Sequence, residues 1–212
     1  MRDIEAEVSS VHSAIETMNG FLSRVGEVAL SSSVGARVLF YPTLLWNVVM
    51  EGGSRRWYDR IDSTVIIGAL PFKSLTQKLV EEENVRAVVT LNEEFETKHF
   101  CNTSEEWSEW GVKQLQLATV DFGNAPSLDN LSEGVKFIEE IRSKGDSVYV
   151  HCKAGRGRSA TLVACYLMKN MALNPEEAHL FIKSKRPHIR LASQQWSAVQ
   201  QFHDYLHEDD NK

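Results

Sequence analysis

From Asp62 onward, apolar and polar positions fall into a regular succession of short buried runs and helical stripes. Val65–Gly68 (VIIG) is a continuous apolar run, the pattern of a strand covered on both faces. A helix is expected around Leu75–Glu83, and a second buried strand at Val85–Leu91. A short helix near Ser104–Trp110 precedes a strand at Lys113–Thr119. Ser127–Ser143 reads as a longer helix that ends near Gly145, leading to a strand at Ser147–Val150 rich in β-branched and aromatic residues. Further helices are expected from Ser159, from Asn174 (where Asn-Pro-Glu-Glu forms a cap with proline in the first turn) and from about Ala192. Strands alternating with helices predict an α/β fold, a central mostly parallel sheet flanked by helices. The last residues, Glu208–Lys212, should fray.

The N-terminal pattern is different. Val8, Val11, Ile15, Met18, Leu22 and Val25 recur at helical spacing among acidic residues. Val34–Met50 is largely apolar but broken by Arg37, Pro42 and Asn47, too short and interrupted for a membrane span. Two readings stand: a helix pair covering the sheet, or a membrane-surface helix with Leu39, Phe40, Leu44, Leu45 and Trp46 entering the interface. The chain therefore divides into a helical segment, 1–56, and a catalytic domain, 57–207.

Composition narrows the classes. At 212 residues and 42% hydrophobic content the chain can bury one substantial core. A net charge of −6 argues against general nucleic-acid binding. Cys101, Cys152 and Cys165 show neither metal spacing nor the even count of a disulfide scaffold, so no metal and no cofactor are expected. Oligomeric state is left open.

The chemistry concentrates in VYVHCKAGRGRSAT, where a cysteine stands at the end of a strand and a glycine-rich loop closes onto a helix. Such a loop turns backbone N–H groups inward, and with the helix dipole they favour an anion. Lys153, Ala154, Gly155, Arg156, Gly157, Arg158 and Ser159 are the phosphate-binding candidates. The same field lowers the pKa of Cys152 and makes it a nucleophile. Arg158 offers a planar fork to two oxygens of a dianion. Ser159 can bond the sulfur and ease its departure in a second step, while His151 is expected to face away and brace the loop through its ring. Three cations in seven residues would repel one another without an anion, which disfavours a structural cysteine. The absence of Gly-Lys-Ser/Thr excludes a nucleotide-binding P-loop.

Attack on a phosphomonoester needs an acid for the leaving oxygen. Asp121 follows an expected strand directly and opens the loop FGNAP; Asp129 is the rival, though it suits a helix first turn. In Asn92-Glu93-Glu94-Phe95-Glu96, one or two of Glu93, Glu94 and Glu96 are expected to pair with loop arginines, Arg158 above all. Lys183, Lys185, Arg186, His188 and Arg190 form a basic run suited to focusing an anionic substrate or bilayer. Gln194 or Gln195 could position the hydrolytic water.

HCKAGRGRSAT resembles the signature of the cysteine-dependent protein tyrosine and dual-specificity phosphatases, His-Cys, five residues, then Arg. The segments RVLFYPTLLWNVV, WYDRID, GALPFKSLT, NVRAVVTLNEEFE and TVDFGNAPSLDNL extend the likeness, over about Arg37 to Arg190, to the mitochondrial phosphatidylglycerophosphate phosphatases within that superfamily. That resemblance implies hydrolysis of phosphatidylglycerophosphate to phosphatidylglycerol for cardiolipin synthesis, a phosphorylated lipid headgroup at an anionic membrane surface, and the matrix face of the mitochondrial inner membrane. It also implies Asp121 as the acid and a cleft-border position for the Glu-Glu-aromatic-Glu run, with Phe95 as an apolar contact of the cleft wall. The first 36 residues depart from it, carrying Asp3, Glu5, Glu7, Glu16 and Glu27 where a targeting peptide is poor in acids. A protein or phosphoinositide phosphatase and a catalytically silent phospho-ligand module are the alternative readings.

Overall fold

Five strands form one sheet in the order β1-β2-β5-β3-β4 in the computed structural model, which describes residues 40–46, 48 and 56–209. The helix at residues 40–46 is α1. There follow β1 (Tyr58–Arg60), β2 (Val65–Gly68), α2 (Thr76–Glu81), β3 (Val85–Thr90), α3 (Glu94–Thr97), α4 (Ser104–Glu109) and β4 (Lys113–Gln116). The chain ends with α5 (Leu128–Arg142), β5 (Ser147–His151), α6 (Arg158–Met171), α7 (Pro175–Lys185) and α8 (Ser193–Asp209). The stripe from Val8 to Val25 lies outside the described residues.

The sheet is parallel except for β1, which pairs antiparallel with β2. All five residues of β5 are buried, as a strand with partners on both sides requires. Gly68 of β2 and Thr90 of β3 both pair with His151, so three strands end together and the loop after β5 leaves from the sheet's C-terminal edge. Open α/β sheets carry their sites there.

One core lies between the sheet and α5, α6 and α8, where Leu131, Val135, Ile138, Leu162, Val163, Val199 and Phe202 are buried. Each such side chain contributes roughly 1.5–3 kcal/mol by leaving water. Residues 158–168 of α6 are buried all round, so the helix that follows the cysteine loop is anchored in the interior. On the other face Ile66, Leu79, Val88, Trp107 and Tyr149 form a second core.

Two expectations are corrected, and two short elements join those expected. β4 ends at Gln116 rather than Thr119; Leu117 and Thr119 still donate to the carbonyls of Thr90 and Leu91, which keeps the segment along β3. The strand Tyr58–Arg60 and the single-turn helix Glu94–Thr97 have no counterpart in the apolar pattern, because neither is long enough to show a period. Phe40 and Leu44 of α1 are buried against the domain with Trp57, Leu70 and Phe95, while Tyr41, Leu45 and, beyond α1, Val48 are exposed, so the former pair does not enter a bilayer.

Candidate active site

Cys152 leaves β5 and its loop returns to the N-terminus of α6. Gly155 adopts φ +63°, and a Cβ there would lie 2.4 Å from the Gly68 carbonyl carbon and oxygen, so glycine is required both for the turn and for the close approach. The Cys152 Sγ is 3.4 Å from Ser159 Oγ. Burial alone would push the thiol pKa up, but the Arg158 charge and the bonds from Ser159 outweigh it and lower the pKa below its ordinary value. Cys101 is pushed up to about 12 by burial, and Cys165 is raised for the same reason.

Arg158 is fixed on nearly every side. Nη1 donates to Glu96 Oε2 at 2.8 Å and to the carbonyls of Thr119 at 2.8 Å and Leu91 at 3.3 Å, and Nη2 donates to Glu96 Oε1 at 3.1 Å. Both side chains of this pair are 1% exposed. Nε is a buried donor with no acceptor among the described residues, which leaves it for a substrate oxygen.

Asp121 arrives from the β4 side. Its Oδ1 lies 3.2 Å from Arg158 Nη2, and its other oxygen pairs with Lys153 Nζ. Burial would raise the carboxyl pKa, but Arg158 and Lys153 overcome it and bring it to about 2. Lys153 also donates to Thr43 Oγ1 of α1 at 2.9 Å and sits 4.5 Å over the ring of Phe122, whose φ of +61° is unusual for an aromatic residue. Asn124 donates to the Asp121 carbonyl at 2.9 Å, and Gln195 Nε2 donates to the Asn124 carbonyl at 2.9 Å. The buried Gln195 thus links α8 to the Asp121 loop, and it also lies against Gly157.

His151 is buried, its Nε2 2.9 Å from Thr90 Oγ1, and burial brings its pKa down to about 3, so the ring is neutral. Of the three glutamates only Glu96 reaches Arg158; Glu94 is exposed, and the Glu93 N–H donates to Glu96. Phe95 packs edge-on to Phe40, 5.6 Å between centroids, and does not line the cleft. The cleft measures about 920 Å³ and is walled by Asp121, Phe122, Cys152, Arg156, Arg190 and Gln195, with Gln194 beside it. Asp129 lies in the first turn of α5. Among the described residues no His, Cys, Asp and Glu cluster has the makings of a metal site.

The basic run 183–190 is not one surface. Lys183, Lys185 and Arg190 are exposed, whereas Arg186 is 1% exposed and pairs with Asp59 at 2.6 Å. Its Nε and Nη2 donate to the carbonyls of Gly155 and Ala154, at 2.7 and 3.1 Å. The sequence put Arg186 in the substrate-focusing basic run and did not single out Asp59; burial takes Arg186 out of that run, and the signal for it was the four-residue spacing of Ala178, Ile182 and Arg186, which continues the buried stripe of α7.

Residues 73–205 match the family model described as dual specificity phosphatase, catalytic domain. The chain is 52% identical over 175 residues, 81% of its length, to the human phosphatidylglycerophosphatase and protein-tyrosine phosphatase 1, and covers 87% of that protein. It is 38% identical over 204 residues, 95% of its length, to the phosphatidylglycerophosphate phosphatase PTPMT1 of Arabidopsis thaliana, of which it covers 59%. A crystal structure of PTPMT1 in complex with PI(5)P superimposes with a TM-score of 0.72 at 48% identity, spanning 73% of this chain and 99% of the other.

Proposed function

The chain belongs to the dual-specificity phosphatase family, and from that premise we propose that it hydrolyses phosphatidylglycerophosphate to phosphatidylglycerol through a phosphocysteine on Cys152. It is a phosphatase. The observation that carries the mechanism is the buried Cys152 sulfur beside Ser159 Oγ and Arg158, at the N-terminus of α6.

Arg158 and the loop N–H groups hold the phosphoryl oxygens, and the Cys152 thiolate forms the S–P bond as the ester P–O bond breaks. Asp121 gives its proton to the departing alkoxide. In the present arrangement Asp121 is ionised, held by Arg158 and Lys153. A phosphate dianion on Arg158 competes for Nη2 and adds negative charge nearby, and both effects raise the proton affinity of Asp121. The acid is therefore produced by substrate binding. In the second step the Asp121 carboxylate takes a proton from water, the water oxygen bonds to phosphorus, and Ser159 donates to the leaving sulfur.

The lipid substrate is supported by the relatives' names and by the lipid-bound PTPMT1 structure. Exposed Tyr41 and Leu45 on α1, with exposed Val48 beyond it, beside the Lys153 end of the site, suit a bilayer surface. With it we place the chain in cardiolipin synthesis on the matrix face of the mitochondrial inner membrane, which fractionation of the tagged protein tests. A phosphoinositide or phosphotyrosine substrate is the second reading, favoured by the PI(5)P complex and the protein-tyrosine phosphatase part of the human relative's name. Quenched turnover analysed by mass spectrometry should show a phosphate adduct on Cys152. No adduct, together with near-wild-type turnover by Cys152→Ser, would overturn the covalent mechanism.

A further inference from the structure

Arg186 is the second buried arginine at the loop, and it touches the backbone rather than the cleft. Its Nε donates to the Gly155 carbonyl at 2.7 Å and its Nη2 to the Ala154 carbonyl at 3.1 Å. Nη1 is held by Asp59 Oδ2 at 2.6 Å and by the Arg56 carbonyl at 3.1 Å, with Nη2 also 3.4 Å from the Trp57 carbonyl. Asp59 lies on β1 and is itself 5% exposed.

We propose that Arg186, oriented by Asp59, is a positioning residue for the reaction: by holding the Ala154 and Gly155 carbonyls on the outer side of the loop, it turns the Gly155 and Arg156 N–H groups toward the phosphate. In a trans peptide the C=O of one residue and the N–H of the next point in opposite directions, and the described residues contain no cis bonds. A carbonyl fixed against Arg186 therefore fixes the following N–H to the other side, where Cys152, Gly157 and Arg158 line the cleft. A loop whose residue 155 sits at φ +63° has no helix or strand ladder to set these peptide planes, so an external donor must. The two buried arginines divide the work. Glu96 orients the Arg158 side chain that grips the anion, and Asp59 orients the Arg186 side chain that aims the backbone donors.

The inference rests on the phosphocysteine reading, and the test separates the two. Orthovanadate affinity and the pH dependence of Cys152 alkylation are measured for the wild type, Arg186→Met, Arg186→Lys and Asp59→Asn, with far-UV circular dichroism and Tm recorded alongside. Arg186→Met should bind vanadate at least about tenfold more weakly and move the alkylation midpoint to higher pH, since the same N–H groups stabilise the thiolate. Arg186→Lys keeps the charge but loses the fork, and should be intermediate in both. Asp59→Asn should shift both in the same direction by less. If Arg186→Met does not fold, the lysine and asparagine variants carry the test. Folded variants with wild-type vanadate affinity and alkylation midpoint, whatever their Tm, would reduce Arg186 to a staple between α7 and β1 and overturn the inference. A wild type that neither binds vanadate nor alkylates at depressed pH would sink the phosphocysteine reading instead.

Discussion

Glu96 and Arg158 meet through two hydrogen bonds, Nη1 to Oε2 at 2.8 Å and Nη2 to Oε1 at 3.1 Å, both side chains closed off from water. Asn92 Nδ2 donates to the same Oε2 at 2.9 Å, so the carboxylate is itself fixed. Its removal leaves a buried guanidinium that has lost its bidentate partner. Glu96→Ala should destabilise the fold by about 3 kcal/mol and lower kcat/KM by about 10². Glu96→Gln, which keeps the shape and one acceptor, should lose less of both. Urea unfolding and initial rates check this; an unaffected rate would place the orientation of Arg158 elsewhere.

Lys153 lowers the proton affinity of the residue that must give a proton. The folded pKa of Asp121 is depressed to about 2, so its protonated fraction in the free enzyme falls as pH rises above that value. Removing the ammonium raises the pKa, and the alkaline limb of kcat, which reports the substrate-bound enzyme, should move to higher pH for Lys153→Met by on the order of one unit. A limb that stays in place or moves down would separate Lys153 from the acid. The same depressed pKa adds stability at neutral pH that is lost as pH falls through about 2.

Thiol chemistry should be selective. The Cys152 pKa is lowered, while burial raises Cys101 to about 12 and raises Cys165 further above the ordinary range. Iodoacetamide at about pH 6 should alkylate Cys152 alone and abolish turnover, with vanadate protecting. Peptide mapping that finds Cys101 or Cys165 modified first would contradict this.

Gly155→Ala puts a methyl 2.4 Å from the Gly68 carbonyl group in a left-handed conformation. The loop must move, and a displacement of an ångström there should cost about 10² in kcat. The rest of the core is not touched, so most of the stability should remain. Wild-type turnover by this variant would show that the loop tolerates another geometry.

The strand and helix order was legible because β2, β3, β5 and the helices from α5 to α8 each carry a full period or an unbroken apolar run. The phosphate grip was legible because its parts fall within seven residues, Cys152 to Arg158. Tyr58–Arg60 was not, since three residues with one buried show no alternation. Which glutamate meets Arg158 could not be told from Glu93, Glu94 and Glu96 as a run; the turn of α3 decides it by burying Glu96 and exposing Glu94. Arg186 was hidden among lysines, where charge suggested surface and only the stripe through Ala178 and Ile182 placed it inside.

The substrate is the centre of the account, and side-by-side turnover measures it most directly. Initial rates on phosphatidylglycerophosphate in anionic vesicles, on a phosphoinositide in the same vesicles and on a phosphotyrosyl peptide should rank the first highest in kcat/KM, with Cys152→Ser inactive on all three. A peptide or phosphoinositide preferred over phosphatidylglycerophosphate would contradict the proposed function.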